Sequence, residues 1–229
     1  MTGESTRLLA IGDIHGCYDA LVRLFDYADL TSQDQVVFLG DYVDRGPDSA
    51  GVIEFLIARI KVGNTVCLRG NHEVMMLEAR HSLPVRRAWS AVGGDATWDS
   101  YSRLGKREGF EAVPSEHWQF LENLSPYYET DHAIFVHASL AAELEMADQV
   151  EADLFWGAFD SIGPHHSGKT VICGHSSQKS GLPKSTGFSV CIDTWACGHG
   201  WLTCLDVRSG RYWQANQAGE TRQDWLSNK

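Results

Sequence analysis

The chain has 229 residues, 43% of them hydrophobic, and a formal net charge of −11. This length and apolar content are enough for a packed globular core. The acidic balance supplies no clustered cations for a polyanion, so nucleic acid is not an expected partner, and no apolar run approaches the about 18–20 residues of a membrane span.

In chain order, the opening residues MTGESTRLLAIGD lack the basic and apolar regions of a secretory signal, so a cytoplasmic location is expected. RLLAIGD predicts a strand, followed by a helix over 17–30. QVVFLGD predicts a second strand with a helix over about 48–62, and TVCLRGN a third with a helix over about 73–82. This βαβαβ alternation of short apolar runs and helical periodicity predicts strands covered by helices.

Residues 84–126 carry no strand signal and hold Trp89, Trp98 and Trp118 among polar residues, which predicts a cap of short helices. The remainder returns to strands in HAIFVHA, TVICGHS, FSVCIDT, GWLTCLDV and RYWQANQ, with RSG at 208–210 as the turn between the last two. The expected fold class is α/β, a two-sheet β-sandwich flanked by helices. It forms a single domain over 1–229 with the cap at about 84–126. The six cysteines, Cys17, Cys67, Cys173, Cys191, Cys197 and Cys204, include no CxxC pair and are expected to be mostly buried, reduced thiols.

The polar residues gather where the strands end. The first three strands run into Gly12-Asp13-Ile14-His15-Gly16, Gly40-Asp41-Tyr42-Val43-Asp44-Arg45-Gly46 and Gly70-Asn71-His72-Glu73, and two later ones end in His137 and Gly174-His175. In an open α/β sheet the carboxyl ends of neighbouring strands meet along one edge, where ligands bind. Carboxylates, imidazoles and the Asn71 amide are the donor types that a pair of divalent cations needs. Asp13 and His15, two apart in an extended segment, project to the same side. A single Asp or His at a strand end is more often structural, but five such endings converging on one edge favour a site.

GDIHG, GDYVDRG and GNHE, in this order and spacing, resemble the three signature motifs of the phosphoprotein phosphatase family within the metallophosphoesterase superfamily, and LRGNHE strengthens the match. His137 in FVHA and His175 in CGHS resemble the family's later metal histidines. The resemblance implies that Asp13, His15 and Asp41 hold one ion and that Asp41, Asn71, His137 and His175 hold the other, with Asp41 as bridge. Hydroxide between the ions would attack phosphorus in line. It further implies His72 as general acid, Asp44 as the carboxylate that raises the pKa of His72, and Arg45 and Arg69 as phosphate binders. The expected cofactors are two divalent metal ions, manganese first, with iron, zinc or nickel as alternatives.

The chain departs from the bacterial branch of that family where an arginine is usual after a tryptophan. Here Trp156-Gly157-Ala158 is followed by no arginine until Arg208, which leaves Arg80, Arg103 or Lys169 to fill the role, or a phosphate held less tightly. Asp193, in a segment resembling the bacterial branch, could orient a metal histidine or cap a turn. His199 could reach substrate or be a loop histidine. Gly163-Pro164-His165-His166-Ser167-Gly168-Lys169-Thr170 fits the nucleotide-loop pattern GxxxxGKT, but it precedes a strand, where a true phosphate loop follows one and opens a helix.

The expected activity is hydrolysis of a phosphomonoester by a dinuclear-metal phosphatase, with phosphoserine or phosphothreonine in proteins as the primary substrate class. Symmetrical dinucleoside tetraphosphate hydrolysis is the alternative within the superfamily. A metal-binding regulator without turnover is the alternative of another class, although it would not need His72, Asp44, Arg45 and Arg69 together.

Overall fold

The computed structural model describes residues 6–105 and 109–227. Strand β1 (Leu8–Ile11), buried along its whole length, pairs in parallel with β2 (Gln35–Phe38), and β2 pairs in parallel with β3 (Thr65–Cys67). The crossovers are helices α1 (Tyr18–Tyr27) and α2 (Ser49–Val62). α1 turns Ala20, Leu21 and Leu24 inward and α2 turns Val52, Ile53 and Leu56 inward, the i, i+3, i+4 stripe of a helix lying on a sheet. Asp48 starts α2 by accepting the Gly51 N–H at 2.9 Å.

Antiparallel strands β9 (Leu202–Asp206), β10 (Arg211–Ala215) and β11 (Thr221–Trp225) extend this sheet to the order β11-β10-β9-β1-β2-β3. The second sheet, β4-β5-β6-β8-β7, is built from β4 (Tyr127–Glu129), β5 (Ala133–Val136), β6 (Thr170–Cys173), β7 (Lys184–Ser185) and β8 (Ser189–Cys191); β5, β6 and β8 are parallel neighbours. Side-chain alternation divides the core. Leu8, Ala10, Val37 and Leu39 meet Phe135, Ile172 and Val190 between the sheets, whereas Leu9, Ile11, Val36 and Phe38 belong to the cluster that includes α1 and α2.

The two-sheet α/β architecture is as expected. The structure adds β4, β7, β11 and a short helix α7 (Glu151–Trp156) that the sequence did not signal. β11 is mostly exposed, and TRQDW has no apolar alternation; its pairing with β10 holds it in place. Between β3 and β4 lie α3 (Asn71–Ala79), α4 (Leu83–Trp89), a π turn at Ser90–Gly94, α5 (Asp95–Ser102) and α6 (Ser115–Glu122), with no strand among the described residues. Trp89, Tyr101 and Trp118 join the same buried cluster as α1 and α2, so these helices pack directly on the main core. Among the described residues no helix is long and apolar enough to cross a membrane. All six cysteines are free thiols, and only Cys197 is partly exposed.

Arg7 and Asp34 lie just before β1 and β2 and pin their common start. The Arg7 guanidinium donates to both Asp34 carboxylate oxygens at 2.7 Å, and the Thr31 N–H donates to one of them at 2.7 Å. Burial opposes the Asp34 charge, but the hydrogen bonds from Arg7 and Thr31 outweigh it and hold the carboxyl below its usual value. Asp34→Asn is therefore expected to cost about 1–3 kcal/mol in urea denaturation near pH 7. Because the folded-state pKa is depressed, this contribution is present above the unfolded carboxyl value and is lost as pH falls, so the penalty should shrink below about pH 4. A penalty independent of pH would contradict the ionic pairing.

Candidate metal centre and active site

The parallel strands of both sheets deliver their carboxyl ends to one place. The loops after β1 and β2 are tied by Asp41, whose carbonyl accepts the Ile14 and His15 N–H groups at 3.0 and 2.8 Å. The ends of β5 and β6 are tied by the Gly174 N–H donating to the His137 carbonyl at 2.8 Å. Seven described non-glycine residues have positive φ, and five are here: His15 (47°), Asp41 (52°), Asp44 (72°), Arg45 (67°) and His175 (59°). Such backbone costs about 1–3 kcal/mol per residue and persists only where the surroundings enforce it. Gly174 permits a close approach, since a Cβ there would lie 2.0 Å from an Asp13 carboxylate oxygen.

Asp41 is the centre of the cluster. It is 2% exposed; its Oδ2 lies 3.4 Å from His15 Nε2 and its Oδ1 3.4 Å from His137 Nε2, so its two oxygens face two groups of donors. The donor atoms of His15, Asp41 and His72 lie within 4.8 Å of one another, as do those of Asp41, His137 and His175. Asn71 joins the second group, its Oδ1 lying 3.0 Å from both His137 Nε2 and His175 Nδ1. Asp13 is in neither group. Its carboxylate accepts the His175 N–H at 3.1 Å on each oxygen.

The tautomers suit metal binding. His15 Nδ1 donates to the Val43 carbonyl at 2.9 Å and His137 Nδ1 to the Leu39 carbonyl at 2.8 Å, which leaves both Nε2 lone pairs facing the cluster. Burial pushes His15 down to about 3, and burial together with His137 pushes His175 down to about 4, so both imidazoles are neutral donors near pH 7. Burial and the charges of Asp193 and Asp41 push Asp13 well above the usual carboxylate range, a repulsion that a cation would relieve. Converging lone pairs and crowded carboxylates fit divalent cations.

Beside this cluster His72 Nδ1 donates to Asp44 Oδ2 at 2.5 Å. Burial opposes a proton on His72, but the carboxylates of Asp41 and Asp44 outweigh it and leave the imidazole above its usual value. The exposed Arg45 spans the site, donating to His15 Nε2 and His72 Nε2 at 2.9 Å each. Arg69 is held differently. Its guanidinium donates to the Glu122 carbonyl at the end of α6 at 2.8 Å, and its Nε is buried without a partner.

Three residues that the sequence did not connect with the catalytic groups support them. Glu73 Oε2 accepts the Asp41 and Gly70 N–H groups at 2.9 Å, and its Oε1 accepts the Tyr42 N–H at 2.7 Å, so one buried carboxylate holds the loops after β2 and β3 together. Burial and the Asp41 charge push Glu73 up to about 7, against the N–H donors that favour its ionised form. Glu73 was visible in GNHE, where its position in the motif was the available signal. Trp89 and Thr97 both bond to Asp44 from the helical segment, and no spacing announced them.

None of the three cations considered for the missing arginine reaches the cluster through a recorded bond. Arg80 pairs with Glu122 and lies over Trp118, Arg103 bonds the Pro47 and Asp99 carbonyls, and Lys169 pairs with Glu129. Asp193 caps a turn, accepting from Ser177 Oγ and the Trp195 N–H at 2.5 and 3.0 Å, and His199 sits exposed with its ring edge-on to Trp195. The GxxxxGKT segment leads into β6 with its lysine engaged at Glu129, so it lacks the strand-to-helix setting of a phosphate loop.

Comparison with known proteins agrees with this geometry. Serine/threonine-protein phosphatase 1 of Salmonella typhimurium is 42% identical over 86 residues, which is 37% of this chain and 38% of that protein; the match thus spans well under half the length of the relative. Among solved structures, a candidate diadenosine tetraphosphatase superposes with a TM-score of 0.70 at 18% identity, covering 99% of this chain and 97% of that one. A protein serine/threonine phosphatase from Saccharomyces cerevisiae gives a TM-score of 0.62 at 18% identity, covering 100% and 82%. At such identities these structures establish the shared fold. The sequence pattern described as calcineurin-like phosphoesterase matches residues 6–200, a span containing every strand end that meets at Asp41, and the chain belongs to that family of phosphoesterases.

Proposed function

We propose that this phosphoesterase is a metal-dependent phosphomonoesterase acting on phosphoserine or phosphothreonine in proteins. The observation that carries the reading is the buried Asp41, flanked on both oxygens by donor groups, with the His72–Asp44 pair and the Arg45 fork beside it. Asp13, His15 and Asp41 would hold one divalent cation and Asp41, Asn71, His137 and His175 the other, with manganese the first expectation. When bound, two such ions lower the pKa of water and offset charge on phosphoryl oxygens.

The chain's own groups do the rest. Arg45, exposed and beside the cluster, exchanges its contacts to the two imidazoles for phosphoryl oxygens, which its planar fork suits. Arg69 supports the same charge from the β3 side. With Arg45 engaged on phosphoryl oxygens instead of on His72 Nε2, that nitrogen would carry the proton and give it to the departing ester oxygen, while Asp44 holds Nδ1 and thereby fixes the ring orientation. Glu73 keeps the loops bearing Asp41 and Asn71 at a constant separation.

Symmetrical dinucleoside tetraphosphate hydrolysis is the second reading, favoured by the near full-length similarity to the candidate diadenosine tetraphosphatase. Stacking on adenine would need exposed aromatic faces, and two of the three tryptophans of the helical segment lack them: Trp89 is fully buried and Trp118 is 8% exposed beneath Arg80, while Trp98 is half-buried. In a panel of phosphopeptides, diadenosine tetraphosphate, nucleoside monophosphates and an aryl phosphate with Mn²⁺, phosphopeptides are expected to give the highest kcat/KM. A tetraphosphate preference of about tenfold or more would select the second reading, since that ratio corresponds to about 1.4 kcal/mol of transition-state binding. Chelation should abolish turnover and added Mn²⁺ restore it; metal-independent turnover would overturn both readings.

A further inference from the structure

Asp44 is fully buried, and its carboxylate serves more than His72. Oδ2 accepts from Trp89 Nε1 at 2.7 Å as well as from His72 Nδ1, and Oδ1 accepts from Thr97 Oγ1 at 2.8 Å. The Asp44 N–H donates in turn to Thr97 Oγ1 at 2.8 Å and to Ser49 Oγ at 3.1 Å. Both donor side chains come from the helical segment that follows the GNHE motif, Trp89 at the end of α4 and Thr97 in α5. The kink between these helices, where Gly93 adopts φ 118°, sends the Gly93 carbonyl to the Arg45 N–H at 3.0 Å.

We propose that Trp89 and Thr97 are positioning residues for the proton donor: by clamping both oxygens of Asp44 they fix the plane of its carboxylate and hence the aim of His72 at the leaving group. This rests on the proposed phosphomonoesterase reading, in which His72 is the acid. A carboxylate held by donors on both oxygens cannot turn about its Cβ–Cγ bond without leaving a buried polar group unpaired. Without the Thr97 hydroxyl, Oδ1 loses its side-chain donor and the carboxylate gains that freedom; without the Trp89 N–H, Oδ2 is left with His72 alone, so nothing independent of the imidazole fixes where that oxygen lies. The consequence is selective. A substrate whose leaving group departs as a stable anion needs little from His72, and one that must leave as an alkoxide needs all of it.

The test is the dependence of kcat/KM on leaving-group pKa across dinitrophenyl, nitrophenyl, phenyl and alkyl phosphates, with bound metal measured by elemental analysis. Trp89→Phe keeps an aromatic ring and removes the N–H donor. Thr97→Val keeps the shape and removes the hydroxyl, whereas Thr97→Ser restores it. Trp98→Phe is the packing control: its ring lies 5.1 Å from Trp89 in the same cluster, and its buried Nε1 has no partner.

Trp89→Phe and Thr97→Val are expected to lose about 10- to 100-fold on alkyl phosphates, to stay within about threefold on dinitrophenyl phosphate and to keep their metal. Thr97→Ser should recover the wild-type slope, and Trp98→Phe should show it unchanged. Should Trp89→Phe fail to fold, Thr97→Val gives the same readout. A uniform loss along the series in the folded variants, with no steeper slope, would overturn the inference and leave the proposed function standing. A wild-type protein that turns over neither this series nor phosphopeptides would overturn the proposed function, and the inference with it.

Discussion

Asp41→Asn is expected to lower activity by roughly 10³-fold and to lose bound metal, because several kcal/mol of charge stabilisation is at stake at about 1.4 kcal/mol per decade of rate. The substitution is nearly isosteric, and asparagine tolerates the left-handed backbone that Asp41 adopts at φ 52°, so the loops should stay in place. What changes is the one carboxylate whose Oδ2 faces His15 and whose Oδ1 faces His137. An amide presents a single acceptor oxygen and an NH2 group that cannot ligate a cation, so it could serve one donor group's ion and not the other's. Metal content by elemental analysis and kcat measured at rising Mn²⁺ would separate lost affinity from lost chemistry. A variant with two ions bound and full rate would rule out the bridging role.

His72→Asn is expected to slow turnover by roughly 10²- to 10⁴-fold with the metals retained. The imidazole lies outside the second donor group, and its Nδ1 is committed to Asp44 at 2.5 Å, so what its removal takes away is a proton donor. The loss should be greatest for phosphoserine and smallest for aryl phosphates, whose leaving groups need little protonation. His15, Asp41 and His72 also form one of the two donor groups, which makes metal content the decisive control. Loss of an ion in His72→Asn would reassign His72 from proton donor to ligand.

Much of the candidate site was legible because its residues sit close to their strands. Asp13 and His15 follow β1 within four residues, and His137 follows β5 immediately. An apolar run that stops at glycine and a polar residue is a local pattern, and the residue types at the stop are the donor set itself. The helical character of the stretch after α3 was legible from the absence of strand signals and from tryptophans set among polar residues. The weak strands were not: β4, β7 and β11 are short or mostly exposed edge strands, paired on one side only, and neither length nor alternation marks them. Arg69 stood beside its motif as expected, yet its recorded bond runs to the end of α6, a contact across 53 positions that nothing near Arg69 could announce.

By itself the sequence determined which side chains could act: the order of donors at the strand ends and the pairing of helices with parallel strands. Only the tertiary structure decided how those side chains are held. Trp89 and Thr97 reach Asp44 from 45 and 53 positions away, and Glu73 joins backbone groups of two loops. The reason is one of range. Donor type and strand periodicity are written in neighbouring residues, but a hydrogen bond between distant segments exists only once sheets and helices have packed, and a buried carboxylate then takes whichever donors the fold brings to it.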